Sequence, residues 1–129
     1  MKAFNVEDIR KKILESDDRV FDSVVVPEWG GVEVPTISLS MQQRKRVRQK
    51  AIRVKEDGSY NVDTETMQIQ AMIEACKDHK TEKQIFTQGD AKTLWEKNSN
   101  AVAKVAQKIL ADSGMSADGD EQVDEAKNS

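Results

Sequence analysis

Residue types that carry out catalysis or hold metals are sparse in this chain of 129 residues. His79 is the single histidine, and it stands in the charged stretch KDHKTEK without a second His or a suitably spaced Cys to complete a metal-ligand set. The glycines form no phosphate-binding loop, and no two carboxylates stand out as an acid/base couple. We therefore predict that the chain is not an enzyme and uses no cofactor and no metal. His79 is expected to be a solvated loop residue.

Cys76 is the only cysteine, so no internal disulfide can form, which fits a reducing compartment. It falls on the apolar stripe of a predicted helix and is expected to lie in the core. No window approaches the ~18 apolar residues of a membrane span, and the N-terminus MKAFNVEDIRKK has no long apolar run. These observations predict a soluble, cytosolic protein with no membrane contact.

The strongest charge feature is the stretch MQQRKRVRQKAIRVK at 41–55, which contains seven basic residues and no acid. A capping box of Ser40 and Gln43 predicts that a helix over 40–55 begins here. At helical spacing Arg46, Lys50 and Arg53 lie on one side of this helix, opposite an apolar stripe. The stripe consists of Val47, Ala51 and Val54.

The basic side of this helix has three interpretations: it neutralises nucleic-acid phosphates, it meets an acidic or amphipathic protein surface, or it is a solvated face. The chain as a whole has a net charge of −3. Residues 112–129 contain six acids and one base, a net charge of −5, so residues 1–111 are only weakly basic at +2. Such a weakly basic body is not the footprint of a typical nucleic-acid binder.

The remaining pattern predicts a mainly α fold: a small helical domain of about five helices with an N-terminal β-hairpin and a disordered acidic C-terminal tail. The other predicted helices cover 6–15, 64–77, 88–97 and 101–112. The hairpin is placed at about 20–38, with Gly30 and Gly31 in a two-residue turn. Residues 1–112 are predicted to form one domain, and 113–129 a tail or linker.

The order of these features resembles the tail assembly chaperones of long-tailed phages and prophages (siphovirus and myovirus type) from Gram-positive bacteria. The resemblance is carried by VVVPEWGGVEVPTISLSMQQR, by MIEACKD and by IFTQGDAKTLWEKNSNAVAKVAQKIL, and it covers roughly residues 4–112. It implies a protein of the host cytoplasm that binds the tape measure protein, keeps it soluble and promotes polymerisation of the tail tube around it, without remaining in the virion. It also implies a frameshifted longer form that recruits the tail tube protein.

The residues expected to bind the partner are Arg46, Lys50 and Arg53 on the basic helix, with Trp29 and Trp95 as aromatic contacts, since Trp is enriched at binding hot spots. Self-association is left open. Two other function classes also stay open from sequence. One is a small regulator that binds nucleic acid through the helix 40–55, and the other is a structural tail or head-tail completion protein.

Overall fold

The structure is a computed structural model, and it describes residues 5–115. The chain folds into five α-helices and two antiparallel two-stranded sheets within those residues. The elements in chain order are α1 (Val6–Glu15), β1 (Phe21–Val26), β2 (Val32–Ile37), α2 (Met41–Ala51), β3 (Ile52–Val54), β4 (Tyr60–Val62), α3 (Thr64–Ala75), α4 (Ala91–Trp95) and α5 (Ser99–Asp112).

Helix α3 lies at the centre of the fold. Asp63 caps its N-terminus by accepting a hydrogen bond from the backbone N–H of Thr66, and Cys76 ends it. Eight of its twelve residues are buried, including every residue from Ile69 to Ala75. Helices α2, α4 and α5 all pack against it, so its apolar side chains face protein in several directions.

Helices α2 and α5 cover two sides of α3. Ser40 and Gln43 form the expected capping box at the start of α2, and Val47 and Ala51 are its buried residues. Helix α5 begins at Ser99, two residues before the predicted position, because the Asn98 side chain accepts a hydrogen bond from the backbone N–H of Ala101. Its buried residues recur at helical spacing: Ala101, Val102, Val105, Ala106, Ile109 and Leu110.

The N-terminal hairpin is present, with Val26 paired to Val32 at its closed end. Its loop is longer than the predicted two-residue turn, because Pro27–Trp29 form a 3-10 turn before Gly30 and Gly31. Both glycines adopt a φ of +75°, the left-handed region that favours glycine. The open end of the hairpin is tied to α5 by the ion pair of Lys108 with Asp22, at 2.7 Å.

The expectation of a mainly α fold is wrong, because the structure contains a second hairpin whose first strand lies in the end of the helix predicted over 40–55. Helix α2 stops at Ala51 rather than 55, and Ile52–Val54 pairs with Tyr60–Val62. β-branched residues favour the extended state, and the chain reverses through Gly58, whose φ is +88°. Val54, expected on the helical stripe, is 77% exposed on β3.

Two further boundaries differ from expectation. The predicted helix 88–97 begins as a 3-10 turn over Gln88–Asp90 and continues as α4 to Trp95, and the predicted helix 64–77 ends at Ala75. The acidic tail from 116 onward lies outside the described residues. The division into a domain at 1–112 and a tail at 113–129 stays a prediction.

We expect Met72→Ala to lower the free energy of unfolding by about 2–5 kcal/mol, because Met72 is fully buried in α3 and its truncation leaves a cavity. The matched control is Met41→Ala, since Met41 is 81% exposed and its loss opens no cavity. Urea unfolding followed by circular dichroism compares the two variants. Equal midpoints would contradict the central position of α3.

Candidate partner-binding surfaces

The outer face of α2, turned away from α3, forms a shallow groove of about 770 Å³. Met41, which is 81% exposed, and Ile52 supply apolar side chains to it. Long side chains of Arg44, Lys45 and Arg48 line the groove between these two, and their aliphatic stems can present apolar surface while their charges remain in solvent. The groove on this face therefore combines an apolar floor with a basic rim. We call it the α2 groove.

Arg44 adds a polar feature to the α2 groove. Its Nε atom is buried and has no hydrogen-bond acceptor within the described part of the chain. A buried N–H without an acceptor is costly, and because this atom is closed to solvent it offers no hydrogen bond at the surface of the groove. Arg44 also lines a second cavity of about 520 Å³, together with the residues that follow α1 and the end of α5.

The predicted partner-binding row does not lie on this groove. Arg46 faces α3, where its Nε and Nη2 atoms donate to the two carboxylate oxygens of Glu74 at 3.0 and 2.9 Å. This bidentate bond lowers the pKa of Glu74 below its usual value, against the opposite effect of burial. Lys50 adds a weaker favourable charge interaction with the same carboxylate.

Arg53 is not on the helix at all, because it belongs to β3. Its Nη1 atom donates to the backbone oxygen of Lys50 at 2.7 Å, and its Nη2 atom lies 3.5 Å from an Asp63 carboxylate oxygen. The assumed i, i+4, i+7 arrangement is therefore wrong for this residue. Arg46 and Arg53 both hold α2 and β3 against α3, and their part in partner binding stays a prediction.

The two tryptophans lie around α4. Trp29, in the loop of the first hairpin, is half-buried against the core and lines a cavity of about 340 Å³ with Phe86, Leu94 and Lys97. Trp95 is 51% exposed and lines a smaller cavity, which Leu94 and Lys97 also line. The structure thus brings Trp29 and Trp95 to adjoining cavities that share Leu94. Neither cavity shares a residue with the α2 groove.

Helix α1 displays a third surface. The helix begins after Asn5, as expected, but none of its residues is buried. Its apolar stripe, which we call the α1 stripe, is open to solvent, with Val6 73%, Ile13 66% and Leu14 64% exposed and Ile9 41% exposed. The α1 stripe is therefore a candidate interaction surface.

His79 is solvent-exposed on the loop after α3, as expected, but its ring also makes defined contacts. Its Nε2 atom lies 2.9 Å from the backbone oxygen of Asp22 and 3.0 Å from that of Thr36. Both partners are acceptors, so Nε2 carries the proton. The ring also meets Phe21 edge-on at 5.4 Å. His79 therefore holds the loop after α3 against the first hairpin. No sequence pattern predicts this contact.

Cys76 is fully buried, as expected, and burial raises the pKa of its thiol to about 12. Among residues 5–115 no group of three His, Cys, Asp or Glu side chains could hold a metal ion. No helix in that range is long and apolar enough to cross a membrane.

No family model matches this chain, and no curated protein matches it. A solved structure, that of the tail assembly chaperone of bacteriophage HK97, is similar to it with a TM-score of 0.48 and 16% sequence identity. The similarity covers 84% of this chain and 92% of that one.

The Arg46–Glu74 bond predicts a specific pH dependence. Because the pKa of Glu74 is lowered in the folded state, its contribution to stability is present above the unfolded pKa, near 4.5, and is lost as the pH falls through the lowered value. We expect Arg46→Met to reduce the urea midpoint at neutral pH and to make the loss of stability between about pH 5 and pH 3 smaller than in the wild type.

Lys45→Met is the control for this measurement, since it removes one positive charge from the outer face of the same helix. Its unfolding curves should follow those of the wild type at each pH. Parallel pH profiles for Arg46→Met and the wild type would contradict the assignment.

Proposed function

We propose that this chain is a tail assembly chaperone of a long-tailed phage or prophage of Gram-positive bacteria. In this role it binds the tape measure protein in the host cytoplasm, keeps it soluble and promotes polymerisation of the tail tube around it, and it is absent from the finished virion. The proposal involves no catalytic step and no cofactor. It rests on the ordered sequence resemblance and, in the structure, on the α2 groove.

The α2 groove suits a helical client better than a small molecule. It is shallow and runs along a helix of eleven residues, about 16 Å at ~1.5 Å per residue. An amphipathic helix could lay its apolar side on Met41 and Ile52 and direct acidic side chains toward Arg44 and Lys45.

A single groove of this size would bind weakly, because a specific protein interface buries about 800 Å² on each partner. A long helical client could engage many copies of the chaperone, and the combined avidity would greatly exceed the affinity of one contact. A frameshifted longer form that recruits the tail tube protein would place tube subunits along the same client.

The first test is co-expression with the protein encoded immediately downstream. We expect that protein to be a long helical chain that is insoluble alone and soluble with this one, and to be retained with it in a pull-down. Purified virions should lack the chain. If the downstream protein does not bind this chain and is no more soluble with it than alone, the proposal fails. If the chain is found in purified virions, it is a structural tail protein.

A second test separates the two faces of α2. Met41→Ser combined with Lys45→Glu alters the α2 groove, and both positions are solvent-exposed, so folding should be unaffected. We expect this variant to solubilise less client than the wild type, because both the apolar contact and the rim charge are lost. Equal solubilisation would remove the groove from the proposal.

The row of Arg46, Lys50 and Arg53 remains a second hypothesis for the client contact. Reversing all three charges would also break the bonds to Glu74 and Asp63, so Lys50→Glu is the cleaner variant. A loss of client solubility with Lys50→Glu, at an unchanged urea midpoint, would support the row. No loss would remove Lys50 from the client contact.

Duplex DNA binding across a salt series tests the nucleic-acid alternative, which the dense basic run on α2 favours. A phosphate binder loses affinity with a logarithmic slope of about −0.9 per phosphate contact. Salt-dependent binding of that kind by the wild type, abolished in Lys45→Glu, would replace the chaperone proposal.

A further inference from the structure

The end of helix α5 lies beside the start of α2. Gly114 ends α5 with a φ of +74°, and Met115 after it is 2% exposed. The hydroxyl of Ser113 accepts a hydrogen bond at 2.8 Å from the backbone N–H of Leu39, two residues before α2 begins. The segment 116–129, which we call the acidic segment, therefore begins beside the first turn of α2.

Two cavities meet at this point. The cavity of about 520 Å³ that borders the end of α5 is lined by Met41 and Arg44, and both residues also line the α2 groove. One helical turn separates these two residues. A segment that leaves the body of the protein at Met115 can therefore enter the α2 groove at its Met41 end.

The acidic segment is long enough to cover the groove. Helix α2 spans about 16 Å over its eleven residues, at ~1.5 Å per residue. The acidic segment has 14 residues. A coil of that length has a root-mean-square end-to-end distance of about 20 Å, and the same length fully extended spans up to about 50 Å. The whole groove lies within this reach without any rearrangement of the described residues.

The acidic segment and the α2 groove have opposite charges. Residues 116–129 contain five acids and one base, a net charge of −4. The groove belongs to a stretch of seven bases without an acid, and Arg44, Lys45 and Arg48 line it. A covalent link raises the effective concentration of one segment near the other to about the millimolar range. Weak ion pairs are then enough to populate the bound state.

The other basic clusters among the described residues are less suited to an acidic partner, because acids accompany or pair with their bases. Helix α1 has three bases at 10–12, but also acids at 7, 8 and 15. The segments 77–83 and 90–97 contain three and two lysines, each with two acids. The lysines of α5, Lys104 and Lys108, are paired with carboxylates of the first hairpin. Charge therefore favours the α2 groove over these surfaces.

We propose that the acidic segment folds back on its own chain and occupies the α2 groove, with its acids against the basic rim. The segment then competes with the client for the same surface, a consequence that rests on the proposed function. The apparent affinity for the client falls with the fraction of chains whose groove is open. Such competition would exclude polypeptides that bind the groove more weakly than the acidic segment does.

Cross-linking within the full chain tests whether the groove is occupied. One variant combines Gln122→Cys in the acidic segment with Gln49→Cys, an exposed position that lines the groove. The matched control combines Gln122→Cys with Gln107→Cys, an exposed position on α5, eight residues before Met115. Each is treated with a short bis-maleimide at low protein concentration, and the native Cys76 is buried and should not react.

We expect the link to Gln49→Cys to form roughly fivefold or more faster than the link to Gln107→Cys, because binding in the groove raises the local concentration of the segment there. The difference should vanish at about 0.5 M salt, where the Debye length is only ~4 Å. Equal rates at low salt would overturn the inference. So would a link that forms only between two differently tagged chains, because the segment would then occupy a second copy.

Removal of the charges, at unchanged length, separates attraction from simple reach. With all five acids of the segment replaced by their amides, both positions should react at the same rate. Lys45→Glu on the rim should also slow the link to Gln49→Cys, whereas Lys11→Glu on α1, which changes the net charge equally, should not. The amide substitutions are Asp118→Asn, Asp120→Asn, Glu121→Gln, Asp124→Asn and Glu125→Gln.

The client enters only the last measurement. We expect the amide variant to solubilise more client per chain than the wild type, because its groove is open. Equal solubilisation by the two would overturn the competition. The cross-linking contains no client, so a negative result there leaves the proposed chaperone function standing. A client that fails to bind either chain contradicts the proposed function and leaves occupation of the groove intact.

Discussion

Burial of α3 is the constraint on which the rest of the structure depends. A helix that is apolar in several directions is stable in water only when other elements surround it. In this small chain α2, α4 and α5 supply most of that cover, and the first hairpin reaches the end of the helix through a bridge between Thr36 and Cys76. The remaining contacts, from the Asp63 cap to the His79 hydrogen bonds, fix those covering elements in place.

This arrangement divides α2 into two faces with different duties. The inner face contributes Val47 and Ala51 to the core. It also contributes Arg46, whose charge is paired with Glu74 within the fold. The outer face keeps Arg44, Lys45 and two exposed apolar side chains at the surface. The seven bases, which form one run in the sequence, are therefore divided between a face that packs on the fold and a face that is turned to solvent.

Local signals made much of the fold predictable. Asn5, Ser40 and Asp63 cap the starts of the helices predicted over 6–15, 40–55 and 64–77, because capping depends on residues only three positions apart. The second hairpin was missed for the opposite reason: strands of three residues are too short to show alternation. Ile52 and Val54 also fit a helical continuation, and nothing local decides between the two.

The surfaces were less predictable than the elements. The stripe of α1 has the same spacing as the buried stripe of α5, yet one is open and the other forms core. The spacing of apolar residues shows that one face of a helix is apolar, but it does not show which element covers that face. The contacts of His79 with Asp22 and Thr36, and of Arg19 with Glu82, join residues more than forty positions apart, so they depend on the tertiary fold.

Arg19 orders the linker after α1, because its guanidinium donates to both carboxylate oxygens of Asp17 and of Glu82, in the loop after α3. A helix on a loose tether must give up most of its orientational freedom when it binds, and that loss weakens the complex. Arg19 removes part of this freedom beforehand, within the folded monomer, at the cost of one unfavourable backbone conformation at Glu82. A partner that bound α1 would therefore meet a helix whose linker is already partly ordered, and it would lose less entropy in ordering it.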